Sequence, residues 1–153
     1  MKKLQNKIPP PVITLTFGLL MWAAHELFPI LQFEFQALFY FGIGLIVIGL
    51  TFDIISFIGF RKNKTTVNPI SPEKATSLVI DGFYRFTRNP MYLGMLLVLA
   101  GTGLIFATLS PFVLLPFFVL TMNFLQIKPE EKALEKIFSE QYIEYKKRVR
   151  RWL

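Results

Sequence analysis

Hydrophobic positions along the chain gather into four runs, Val12–Leu31, Leu38–Phe60, Met91–Leu109 and Phe112–Ile127. The first two carry few charges and the last two none. About 20 apolar residues at 1.5 Å each cross a hydrocarbon core of roughly 30 Å, so each run predicts a transmembrane helix. The fourth is the shortest and calls for tilt or local thinning of the bilayer. Beyond Pro129 the pattern changes. Leu134, Phe138, Tyr142, Tyr145, Val149 and Trp152 recur every three or four positions and mark one apolar helical face, with Lys and Glu on the other. Such a helix, about 130–150, lies at the membrane surface or docks on the cytoplasmic loop. The expected fold is an all-α membrane protein in a single domain, 1–153. It has four transmembrane helices (about 12–31, 38–60, 91–109 and 112–127), a long cytoplasmic loop and an amphipathic C-terminal helix.

Local signals refine this outline. The first helix follows Pro9-Pro10-Pro11 and holds His25 and Glu26 near its outer end. His25 reads as an interfacial or packing residue paired with Glu26 or a lipid headgroup. Gly42, Gly44 and Gly49 allow close approach of the second helix to a neighbour, and Asp53 lies in its cytoplasmic half. Between Arg61 and Pro90, Thr65–Pro69 reads as extended, Ser71-Pro72-Glu73 as a helix start, and Asp81-Gly82 as a turn. Val79, Ile80, Phe83, Tyr84 and Phe86 favour an ordered cap on the bilayer surface. Ser110-Pro111 leaves almost no connection between the last two spans, and Pro116 is expected to kink the fourth.

Charge orients the arrangement. The net charge of +7 comes from 17 Lys and Arg against 10 Asp and Glu. Three of the basic residues precede the first run, six lie between Arg61 and Arg88, and eight follow from Lys128 onward. Four spans put those segments on one side, which the positive-inside rule makes cytoplasmic. The basic excess is thus topological, with attraction to anionic membrane lipids second and no call for nucleic acid. The protein is expected in a membrane, the inner membrane if the cell is prokaryotic, with both termini cytoplasmic. Lys2 and Lys3 before an apolar run resemble a signal peptide, but the run is long and no small-x-small cleavage site follows, so a retained helix is expected.

Several chemistries are excluded. With no cysteine there is no disulfide, zinc–thiolate site or thiol nucleophile. Imidazole catalysis at the cytoplasmic face is unsupported, since the one histidine sits at the other end. No phosphate-binding glycine loop or Ser/His/Asp arrangement is present, and no metal site is expected. What remains is a constellation near the cytoplasmic interface: Arg85, Arg88, Asn89, Tyr92, Glu130, Glu131, Tyr142, Tyr145, Arg150 and Arg151. Arg88 can fork onto a carboxylate, the two glutamates can receive an ammonium group or ribose hydroxyls, and tyrosine faces can hold a cation. S-adenosylmethionine carries a carboxylate, an ammonium and a second cation. Each element also has a plainer role: the arginines as headgroup anchors, Glu130-Glu131 as favourable charges at a helix start, the tyrosines as an interface belt, Gly101 and Gly103 as packing residues.

The order of these residues resembles the integral-membrane family of isoprenylcysteine carboxyl methyltransferases and phospholipid N-methyltransferases. The similar stretch runs from about Thr65 to Trp152. It comprises Leu78-Val79 with Gly82 and Tyr84, Arg88-x-Pro90-x-Tyr92-x-Gly94, Gly101-x-Gly103, Glu130-Glu131 with Leu134 and Phe138, and Tyr142-x-x-Tyr145-x-x-x-Val149-x-Arg151. Asn89 stands where the family usually has histidine, and Phe83 where proline is common. The resemblance implies S-adenosylmethionine held by Arg88, Asn89, Tyr92, Leu93, Gly94, Gly101, Gly103, Glu130 and Glu131, the two later glycines letting adenosine approach backbone. It implies a lipophilic or lipidated acceptor, a carboxylate or an amine, entering from the bilayer. Arg151 and Arg150 would orient its head group, and Tyr145 is the third catalytic candidate. In-line methyl transfer relies on positioning and desolvation and needs no metal.

Two other readings stand beside this one. The Arg-x-Pro-x-Tyr-x-Gly pattern is similar to that of NADPH-dependent membrane sterol reductases, which usually have more spans. A non-catalytic membrane scaffold or lipid-binding module would tolerate replacement of Arg88, Glu130 and Glu131. Under the methyltransferase reading, Glu131→Gln and Arg88→Ala are expected to abolish cofactor binding in a protein that still folds.

Overall fold

A computed structural model describes residues 5–62 and 76–153. The readings of Thr65–Pro69 and Ser71–Glu73 fall outside these residues. The described chain is helical: α1 (Pro10–Leu27), α2 (Gln36–Lys62), a 3-10 turn (Gly82–Arg85), α3 (Pro90–Phe106), a second 3-10 turn (Ser110–Val113), α4 (Leu114–Met122), a π-helical turn (Asn123–Ile127) and α5 (Lys128–Arg148). Two isolated β-bridges, Gln32 with Thr108 and Thr87 with Arg150, link segments between the helices.

Two of the described helical stretches, Gln36–Lys62 and Ser110–Arg148, are long and apolar enough to cross a membrane by length and composition. In Gln36–Lys62 the apolar window has a mean hydropathy of 2.3 and is only 17% buried. A core helix of a soluble protein would be mostly buried. Here Tyr40, Phe41, Val47 and Ile54 point outward, as side chains facing lipid do.

The α2–α3 contact is the tightest in the molecule and follows from glycine. A Cβ on Gly42 would lie 2.6 Å from the Gly101 carbonyl oxygen, and one on Gly101 would lie 2.5 Å from that of Gly42. Seven residues along each helix the contact repeats, Gly49 against the Gly94 carbonyl at 2.5 Å and Gly94 against that of Gly49 at 2.6 Å. The helices are therefore antiparallel and in register on two pairs of small residues, the close backbone packing that apolar solvent favours.

Helix ends depart from the expected boundaries for local reasons. α1 stops at Leu27, before Pro29, and Ile30–Phe33 instead pairs with the end of α3 through Leu109 N–H to Ile30 O (2.8 Å) and Phe33 N–H to Ala107 O (2.8 Å). α3 ends on Ala107 in the left-handed conformation, short of Leu109. Pro116 lies in the first turn of α4, where it leaves the helix intact, so the expected kink is not there. The irregularity falls later, in the π-turn at Asn123–Ile127. α5 is bent at Ser139, whose φ is 43°.

The π-turn explains an otherwise odd N-terminal segment. Pro129 has no N–H to offer the Leu125 carbonyl four residues earlier. That carbonyl accepts from Asn6 N–H (3.0 Å), and the Phe124 carbonyl accepts from Gln5 Nε2 (3.4 Å). Gln126 Nε2 in turn donates to Ile8 O (2.6 Å). Residues 5–8 thus strap the π-turn ahead of α1.

Candidate functional site

The site forms where the start of α3, the start of α5 and the C-terminal segment converge. Arg88 N–H donates to Arg150 O (3.0 Å), drawing the tail alongside the residues that lead into α3. Thr87, fully buried, donates through Oγ1 to Arg151 O (3.2 Å) and accepts from Asn89 N–H (3.2 Å). Asn89 precedes Pro90 at the helix start, but its amide does not cap α3. It donates to Arg151 O at 2.9 Å.

The two glutamates diverge, as adjacent helical residues must. Glu131 is buried and doubly paired. Arg151 reaches it through Nε to Oε1 (3.0 Å) and NH2 to Oε2 (2.6 Å), and Arg88 NH2 reaches Oε1 (2.8 Å). Arg88 NH1 also donates to Val149 O (2.6 Å) and Lys146 O (3.2 Å). Burial raises the Glu131 carboxyl, but the hydrogen bonds and charges of Arg151 and Arg88 outweigh it and hold it below the usual glutamate value. Glu130 has one donor among the described residues, Tyr92 Oη at 2.5 Å. Partly exposed at its surface yet densely enclosed by protein, it is pushed up to about 8 by burial, against the Tyr92 hydrogen bond and reinforced by the charge of Glu131. Arg88 Nε is buried with no partner.

The residues singled out in sequence therefore separate. Arg88, Asn89, Tyr92, Glu130, Glu131 and Arg151 come together. Arg150 contributes its backbone and leaves its side chain exposed. Tyr145 is buried against Leu78, Ile80 and Tyr142, with its hydroxyl donating to Tyr84 O (2.7 Å), so its ring and its proton are both engaged in packing. Gly94 and Gly101 are closed off by α2, and Gly103 faces Met21 and Phe112, so these glycines serve helix packing and offer no backbone edge to adenosine on those sides. Leu93 is buried. The helix-start explanation for Glu130-Glu131 also fails, because the π-turn runs unbroken into α5 and leaves no free helix N-terminus there. His25 bonds Thr108 Oγ1 (3.1 Å) and stacks on Phe106, away from both Glu26 and the site.

Thr87, Asn123 and Gln126 have no part in the sequence reading of the site, and Trp152 enters that reading only as an apolar-face residue. Trp152 Nε1 donates to Asn123 Oδ1 (3.2 Å), fixing the tail to the π-turn. Asn123 and Gln126 in an otherwise apolar run just before Pro129 were the available signal: polar side chains in such a run need partners.

Apolar helices with exposed hydrocarbon faces and an Arg/Glu cluster where α3, α5 and the tail converge are features that suit a membrane protein. The chain matches the phospholipid methyltransferase family model over residues 37–141 and belongs to that family. It is 31% identical over 111 residues to protein-S-isoprenylcysteine O-methyltransferase B of Arabidopsis thaliana, covering 71% of this chain and 55% of that protein. It is 40% identical over 74 residues to protein-S-isoprenylcysteine O-methyltransferase of Saccharomyces cerevisiae, covering 47% and 30% respectively. To the probable protein-S-isoprenylcysteine O-methyltransferase of Oryza sativa subsp. indica it is 28% identical over 141 residues, 90% of this chain and 72% of the relative. The chain thus spans about half, or less, of the first two relatives. No solved structure matches.

Proposed function

We propose that this protein transfers a methyl group from S-adenosylmethionine to a lipophilic acceptor at the cytoplasmic face of a membrane that it crosses four times. The observation that carries the reading is the contrast between neighbouring carboxyls. Glu131 is saturated by two arginines and is a structural anchor. Among the described residues Glu130 has only the Tyr92 hydroxyl, and Arg88, which pairs with Glu131, keeps a buried Nε without a partner. A ligand with hydroxyl or ammonium donors and a carboxylate would satisfy both, and S-adenosylmethionine fits that donor set. Glu130, Tyr92 and Arg88 would hold it, with Asn89 and Arg151 keeping Arg88 and Glu131 in place. When bound, the cofactor supplies an electrophilic methyl group on a sulfonium centre. The chain's own contribution is to bind, to orient and to exclude water: Tyr92 fixes the Glu130 carboxyl, and the Thr87–Arg151 clamp seals the tail over the site.

The family and the names of its relatives support methyl transfer and a lipidated acceptor. Calorimetric titration with S-adenosylhomocysteine, with NADPH in parallel, tests the reading. Saturable binding of the former alone is the expected result. Binding of NADPH alone would favour a reductase, and binding of neither a non-catalytic membrane protein.

A further inference from the structure

A second feature of the molecule shares no lining residue with the Arg/Glu cluster. α1 and α2 each pack on α3 and hardly touch one another, which leaves a cleft of about 380 Å³ with α3 as its floor. That volume falls within the roughly 300–1,000 Å³ of small-molecule sites. Its α1 wall runs from Pro11 to Gly18, about 10 Å at 1.5 Å per residue. Leu15, Leu50, Met95, Val98 and Leu99 line it with hydrocarbon. Thr14 and Thr102 also face it, but their hydroxyls already donate to Pro10 O (3.1 Å) and Val98 O (2.9 Å) on their own helices.

Asp53 is the exception. Among the described residues it is the one ionisable side chain lining the cleft, and no Lys, Arg or His joins it in that lining. Its Oδ1 presses against Gly94 with no hydrogen-bond donor. An acid in an apolar helix is costly unless it is paired or serves a ligand. Glycine at 94 admits the carboxyl to this position, since a Cβ there would collide with it.

We propose that the cleft between α1, α2 and α3 is a binding site for a lipophilic amine, its hydrocarbon chain along Leu15, Leu50, Met95, Val98 and Leu99 and its ammonium group on Asp53. Charge complementarity selects this occupant. An ammonium brings the positive charge and the N–H donors that the described residues do not provide, whereas a fatty or prenylated carboxylate would set two negative groups together in a medium of low dielectric. A neutral alcohol would bring a donor without the charge.

The test uses the full chain in phosphatidylcholine nanodiscs, whose quaternary headgroup has no N–H to compete. Dodecylamine, dodecanoic acid and dodecanol, each with a diazirine on the chain, are photolysed against the protein at neutral pH, and labelled peptides are mapped. The expected result is amine labelling on α1, α2 and α3 exceeding that of acid and alcohol by about tenfold and competed by unlabelled dodecylamine. Asp53→Asn should reduce amine labelling to the level of the alcohol. Gly18→Leu, which fills the cleft from a position where an added Cβ meets only a Leu99 methyl at 3.9 Å, should abolish labelling there. Equal labelling by all three probes in the wild-type protein, or full labelling of Asp53→Asn, overturns the proposal. S-adenosylhomocysteine titration of the same samples separates this site from the methyl-transfer reading. Amine selectivity without cofactor binding would sink that reading and uphold the cleft, and cofactor binding without amine selectivity would do the reverse.

Discussion

At the scale of single residues, the structure assigns different work to two adjacent acids. Glu131 and Arg88, both buried, close a triad with the partly exposed Arg151. Removing one member of such a group leaves an uncompensated charge and costs about 3–5 kcal/mol. Glu131→Gln and Arg88→Ala should therefore lower the unfolding midpoint strongly, unlike the folded, binding-deficient variants that the sequence pattern alone suggests. The variants for the cofactor test are Tyr92→Phe and Glu130→Gln, expected to retain the fold and weaken S-adenosylhomocysteine binding at least about tenfold; unchanged affinity in both would remove these residues from the site. Glu130 also carries a pH signature. Its carboxyl, raised to about 8 in the folded protein from an ordinary glutamate value of 4.5, holds its proton more tightly folded than unfolded. Its contribution is full below the unfolded value and is lost as pH rises through the folded one. Thermal unfolding across that window should show a decline in the wild type that Glu130→Gln lacks. Glu131, with its value lowered, works in the opposite sense: its support is present above the unfolded value and lost as pH falls. That Arg88, Tyr92, Glu130, Glu131 and Arg151 gather was legible in sequence because they carry the polar chemistry flanking the apolar runs. Tyr145 and Arg150 carry the same chemistry by type, but whether a hydroxyl finds a backbone carbonyl or a guanidinium stays in water is decided by packing.

At the scale of elements, the same limit holds. The spacing of Gly42 and Gly49 announces a close helix contact, yet the partner is not written beside it. Gly94 and Gly101 repeat the seven-residue interval, and only the antiparallel pairing shows that the two intervals meet. Gly49→Ala should cost about 1–3 kcal/mol by overpacking, since its Cβ would stand 2.5 Å from a backbone oxygen that cannot move aside. Gly44→Ala, with nothing within 4 Å, should instead gain about 0.5–1 kcal/mol in helix stability. Reversible unfolding of the two variants in mixed micelles would compare them, and equal effects would refute the glycine register. The amphipathic C-terminal helix was readable from its period. Tyr142 and Tyr145 of this helix, with Val149 just beyond it, cluster with Leu78, Ile80, Leu134 and Phe138 and so join the middle of the chain to its C-terminal part. The π-turn was not readable. Its released carbonyls are satisfied by Asn6 and Gln5, more than a hundred residues away in sequence, and no local pattern encodes such a partner.

At the scale of the molecule, the two ends differ in chemistry as well as in position. The α1–α2 connection lies beside the end of α3 through the Gln32–Thr108 bridge, and the start of α3 lies beside the C-terminal tail through Thr87 and Arg150. No Lys or Arg occurs from Ile8 to Phe60 or from Asn89 to Ile127, so the first of these ends carries no basic residue. All of the described arginines fall at or near the second. That asymmetry is the one the positive-inside rule demands of a four-span protein with this end in the cytoplasm. Two helical stretches pass the length and hydropathy criteria outright, and a two-span arrangement through them makes a different prediction. With four spans, Phe35 and Leu109 share one compartment and Lys62 and Arg150 the other. With only α2 and the Ser110–Arg148 stretch crossing, Phe35 would join Arg150, and Lys62 would join Leu109. Because the chain has no cysteine, single cysteines at these four positions can be read without background. An impermeant maleimide applied to intact cells should label Phe35→Cys and Leu109→Cys, and label Lys62→Cys and Arg150→Cys only after lysis. Labelling of Lys62→Cys together with Leu109→Cys in intact cells would leave α1 and α3 on the surface. The Arg/Glu site would then lose the common membrane face on which the start of α3 meets the tail.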